Sequence, residues 1–125
     1  MLTDAGVLGD ALLKRIADSD AVLIEANHDI DMLKASKTYP AVLKKRILSA
    51  YGHLSNADSG AAVAKLALGG VARQFLLAHL SQENNYPELA LSSVGSILSS
   101  FNIKVGSDIT LSIAEQYKIG QPISV

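Results

Sequence analysis

The chain has 125 residues, a formal net charge of −1 and 49% hydrophobic residues. That is enough for one domain with its own core, and too apolar and too weakly charged for a disordered segment. The balanced charge gives no general pull toward nucleic acid or anionic membrane, so any phosphate contact must be local. Cysteine is absent, which removes disulfides and thiolate metal sites and leaves His, Asp and Glu as the possible ligands.

In chain order, "MLTDAG" is a short lead ending in an aspartate and a glycine turn. Residues 7 to 18 read as a helix, with Leu8, Leu12, Leu13 and Ile16 at helical spacing. A short apolar run, Ala21 to Ala26, reads as a strand buried on both faces. "DIDMLKAS" supplies one or two helical turns, and Pro40 opens the next helix. Leu43, Ile47 and Ala50 share a face of that helix, with Lys44, Lys45 and Arg46 mostly off it, and Gly52 ends it. Asn56 looks like the N-cap of an alanine-rich helix that stops at Gly69-Gly70. "RQFLLAH" is a second strand, and Pro87 starts a helix with Val94, Ile97, Leu98 and Phe101 on one side. Ile109, Leu111 and Ile113 alternate with polar residues, the period of a half-exposed strand. The tail from Ile109 onward either adds an edge strand or extends away.

Helices alternating with strands imply an α/β layered fold. In such folds the loops at one sheet edge carry the chemistry. All three histidines, His28, His53 and His79, lie in polar turns after apolar runs. With Asp4 and Glu25 they form a candidate ligand set suited to Zn²⁺ or Mn²⁺ in a hydrolytic site. Glu25 could fix the tautomer of one of the imidazoles. Taken singly, each histidine is more often a hydrogen-bonded turn residue than a ligand. No stretch approaches the ~20 apolar residues of a membrane span, and the N-terminus lacks the pattern of a signal peptide. A cytoplasmic setting fits these features.

Four short stretches, in order, say more than the statistics. "TDAG" (3–6), "EANHD" (25–29), "GHLSN" (52–56) and "AHLSQENN" (78–85), with "PAVLKKRILSAYGHLSN" (40–56), resemble the C-terminal half of a metallo-β-lactamase-fold hydrolase. The nearest branch is the bacterial exonuclease type linked to cell-wall two-component operons, with ribonuclease Z-like motifs. The resemblance implies half of an αβ/βα sandwich, one mixed sheet with helices on one face. It implies Asp4 as the carboxylate bridging two divalent metal ions and His79 as the last histidine ligand of the second. It gives His53 the leaving-group or scissile-phosphate role, with Glu25 orienting it. His28 recurs in that branch without an assigned role. DNA is the implied substrate.

The main metal motif of that family, His-x-His-x-Asp-His, is absent from these residues. The expectation is therefore a C-terminal part of a single domain, inactive alone, that needs the N-terminal half or self-associates through an uncovered sheet face. Two other readings stay open. One is an inactive remnant or metal-independent interaction module; the other is a metallo-hydrolase of a thioester or lactam. Lys44, Lys45 and Arg46 are a possible phosphate patch, against the plainer reading of a solvated helix face.

Overall fold

The computed structural model describes residues 1–120, 122 and 123. Eight elements follow in the order α1 (Asp10–Ile16), β1 (Ala21–Glu25), α2 (Ile30–Ala35), α3 (Ala41–Ile47), α4 (Asn56–Gly69), β2 (Gln74–Ala78), α5 (Pro87–Ser100) and β3 (Thr110–Ile113). This is the expected α/β layering. The sheet has the order β1-β2-β3. Ala21 to Glu25 pair with Gln74 to Ala78, and Gln74 to Leu77 pair with Thr110 to Ile113, all in parallel. Leu2 adds a parallel bridge to Ile24 on the free side of β1. The described ladders all run one way, and this three-stranded sheet with its helices is consistent with half of an αβ/βα sandwich. Every link between strands is a helical crossover, and a crossover returns the chain in the same direction.

Strand alternation divides the sheet into two faces. Val22, Ile24, Phe75 and Leu77 share one core with Leu13 of α1, Val63 and Leu66 of α4, and Val94 and Leu98 of α5. Helices α1, α4 and α5 therefore cover the same face. On the opposite face Leu23 and Leu76 are register partners, both half-buried.

Details of the helices depart from expectation at their ends. Helix α1 is shorter than residues 7 to 18, starting at Asp10 after Gly9. Asp29 caps α2, its carboxylate accepting from the Met32 N–H at 2.9 Å. Ser55, not Asn56, caps α4. Its hydroxyl accepts from the Asp58 N–H at 3.1 Å. Asn56 instead turns inward, where its amide and that of Asn85 exchange two hydrogen bonds of 3.0 and 2.8 Å. A buried amide needs such partners, so the place of Asn56 is set by Asn85, 29 residues away. Helical spacing puts Phe101 on the buried side of α5, yet it is 51% exposed. The helix ends at Ser100, and Phe101 leaves its path at φ −97°. Beyond β3, residues 121, 124 and 125 of the tail lie outside the described residues.

Candidate metal centre

Three parallel segments deliver polar residues to one sheet edge. Glu25 is the last residue of β1 and pairs in register with Ala78. His79 is the next residue after β2. Asp4 lies two residues beyond Leu2, which pairs with Ile24. His53 arrives from the loop between α3 and α4. Four segments distant in sequence thus meet where parallel strands end.

The centre of the arrangement is Glu25, whose side chain is 1% exposed. A buried carboxylate is costly unless its oxygens are hydrogen-bonded. Here both are. Oε1 accepts from Nδ1 of His53 and from Nδ1 of His79, each at 2.7 Å. Oε2 accepts the Asp4 backbone N–H at 2.8 Å. One side chain therefore fixes two imidazole rings and the backbone of the aspartate. The Asp4 carboxylate stands 3.6 Å from Nδ1 of His53 and 3.7 Å from Nδ1 of His79. The two rings meet edge-on, with centroids 5.2 Å apart at 67°.

Donor atoms of Asp4, Glu25, His53 and His79 lie within 4.8 Å of one another. The set fits a divalent ion in a specific way. Glu25 already has both oxygens engaged, so it could stand behind a ligating histidine rather than ligate an ion itself. A histidine that ligates a metal through one ring nitrogen commonly donates the other N–H to such a carboxylate. With Nδ1 held by Glu25, Nε2 is the atom left to each imidazole. Asp4, 70% exposed at its side chain, keeps its oxygens available.

Local backbone geometry adds to this. Asp4 and His79 sit at φ +58° and +56°, two of the three non-glycine residues in the left-handed region among the described residues. That region is sparsely used by non-glycine residues and tends to mark functional sites. Two glycines make the approach possible. A Cβ on Gly6 would lie 2.0 Å from the Ser49 carbonyl oxygen, and one on Gly52 would lie 2.2 Å from that of Ile47. The chain beside Asp4 presses against Ser49 and Ala50, just after α3, and the chain beside His53 against the last residues of α3, and only a residue without a side chain fits at either place.

Asp4, His53 and His79 border a cleft of about 630 Å³ that is also lined by Asn27, Tyr39, Leu43, Gln82 and Tyr117. Asn27 donates its amide to the His79 carbonyl at 2.9 Å and so holds the turn after β2. It sits inside "EANHD" but is absent from the candidate set drawn from the sequence. Its position as a polar residue soon after a buried strand is the signal that could have found it.

His28 is not brought into this cluster. It is 1% exposed, and its backbone joins the exit of β1 to the start of α4. The Asn56 N–H donates to its carbonyl at 2.8 Å, and it bridges to Ser55. Its Nδ1 lies 3.3 Å from the Asn27 amide oxygen. Nε2 is buried with no hydrogen-bond partner among the described residues. Burial, aided by the neighbouring His53, holds this imidazole below the usual histidine range.

No family model matches the chain, and no solved structure does. Over 108 residues, 86% of its length, it is 42% identical to the exodeoxyribonuclease WalJ of Streptococcus pneumoniae, in both strain D39 and strain R6. It is 38% identical over 106 residues to the exodeoxyribonuclease YycJ of Bacillus anthracis. The chain spans about two fifths of the length of these relatives, 39% in each case. It is similar, over most of its own residues, to part of proteins named as exodeoxyribonucleases.

Proposed function

We propose that this chain is the C-terminal part of a metallo-β-lactamase-fold domain, and that the complete domain is a metal-dependent phosphodiesterase acting on DNA as an exonuclease. The observation that carries this reading is the convergence of Asp4, Glu25, His53 and His79 within 4.8 Å, in a chain 42% identical to an exodeoxyribonuclease.

Asp4 and His79 are the metal ligands of this part, Asp4 through its carboxylate and His79 through Nε2. The complete centre would hold two divalent ions, Zn²⁺ or Mn²⁺, and these would supply activation of a water and neutralisation of phosphate charge. His53 keeps a proton-bearing Nδ1 on Glu25 and offers Nε2 to the leaving oxygen or to the phosphate. Glu25 is a positioning residue that sets both rings. The remaining ligands come from a His-x-His-x-Asp-His stretch in the preceding half of the domain, which also covers the open sheet face with Leu23 and Leu76. Without that half the face favours self-association. A DNA substrate goes with a cytoplasmic setting.

Mixing the chain with the preceding segment of the pneumococcal relative tests this. Bound Mn²⁺ and release of nucleotides from a labelled DNA end are expected from the mixture, and no nucleotide release from the chain alone. A mixture that forms a complex yet takes up no metal contradicts the proposal.

A further inference from the structure

Residues 32 to 57 contain Lys34, Lys37, Lys44, Lys45 and Arg46 and no aspartate or glutamate. In a chain of net charge −1, this one segment, covering most of α2, all of α3 and the turn to His53, carries a local charge of +5. The Lys44 Nζ is engaged within the fold, donating to the Lys34 and Ser36 carbonyls at 2.9 and 2.6 Å. Lys34, Lys37, Lys45 and Arg46 are exposed. None of the four has an ion pair among the described residues.

The same segment holds two tyrosines. Tyr39 lines the cleft that contains Asp4, His53 and His79. Tyr51 is 94% exposed and lines a second recess of about 410 Å³, with Arg46, Asp4 and His53. Leu43 and Ile47 of α3 line both recesses. Helix α3 is thus a ridge between two recesses that open on the same aspartate and histidine. The Tyr51 ring stands almost bare in the recess that Arg46 also lines, a cation without an ion pair among the described residues. Aromatic rings interleaved with basic side chains are what a single strand of nucleic acid uses, with bases stacked on rings and phosphates on cations.

We propose that this basic α2–α3 rim binds single-stranded nucleic acid and leads it to the Asp4–His53 end of the cleft. The bases stack on Tyr39 and Tyr51, and the phosphates meet Lys37, Lys45 and Arg46. The inference rests on the nuclease reading for what lies at the end of the path; the rim itself is a binding surface that can be read without cleavage.

The test uses the 125-residue chain in a chelator, with a labelled oligothymidylate of about twelve nucleotides, within the span of one or two single-strand binding modules, and a strand of equal length and charge that lacks bases. The chain is expected to bind the base-bearing strand more tightly. Tyr39→Leu with Tyr51→Leu should remove that preference, weakening the base-bearing strand by roughly fivefold or more per ring and sparing the abasic one. Lys37→Gln with Lys45→Gln and Arg46→Gln should weaken both strands and flatten the dependence of log affinity on log salt by roughly 0.7 for each phosphate no longer neutralised. Equal affinity for the two strands, wild-type binding by either variant, or no binding overturns the proposal. Because metal is excluded, such a failure leaves the metal centre standing. Oligonucleotide binding by a chain whose complex with the preceding segment takes up no metal removes the metal reading alone.

Discussion

At the scale of single residues, Glu25 decides the geometry. Its carboxylate accepts two imidazole N–H groups and one backbone N–H, so the Glu25→Gln amide cannot satisfy all three with acceptors. An NH₂ group must face either the Asp4 N–H or the two ring N–H groups. Loss of the carboxylate that holds ligand histidines typically costs about 10- to 100-fold in metal affinity, and roughly that loss is expected for Glu25→Gln by Mn²⁺ titration of the reconstituted domain. His28 gives a separate expectation. Its folded-state pKa lies below the unfolded value near 6.5. Between those two values the unfolded chain binds the extra proton, so stability is intact above about pH 6.5 and falls as the pH drops below it. Urea midpoints measured from about pH 7.5 to about pH 5, a range that brackets the histidine titration, should decline less steeply in His28→Gln than in the wild type.

At the scale of elements, the strands and most helices are legible in the sequence because apolar period and end signals are local. Pro87 starts α5 and Gly69-Gly70 ends α4 as expected. The alternation at Leu111 and Ile113 gives β3. Choices settled by distant partners are not legible. Ser55 caps α4 because the neighbouring Asn56 is drawn to Asn85. Glu25 can be paired with one imidazole on chemical grounds, but its hold on both rings needs the register of β1 with β2. The tight crossing over the end of α3 is likewise invisible: Gly52 reads as a helix stop, yet its position excludes a Cβ because the Ile47 and Arg46 carbonyls lie against it. Gly52→Ala is expected to cost roughly 1–3 kcal/mol, the range for forced overpacking. Chemical denaturation measures the loss, and a change in the His53 ring signals by NMR should accompany it.

At the scale of the whole molecule, helices α1, α4 and α5 cover one sheet face, and the opposite face presents Leu23 beside Leu76. The chain spans 39% of each relative's length, and the proposed metal site has two of its ligands here. The four motif stretches in the sequence point to the residues, and the parallel sheet explains why they meet: segments that run the same way end at the same edge. The most direct measurement is the melting temperature of the 125-residue chain, complexed with the preceding segment of the pneumococcal relative, across a Mn²⁺ titration, beside the same complex carrying Asp4→Asn with His79→Ala. A ligand that binds only the folded state raises the melting temperature as its concentration passes the dissociation constant. The wild type should rise with added Mn²⁺ and the double variant should stay flat. A wild type that does not respond, or a double variant that rises equally, would contradict the assignment of Asp4 and His79 as metal ligands.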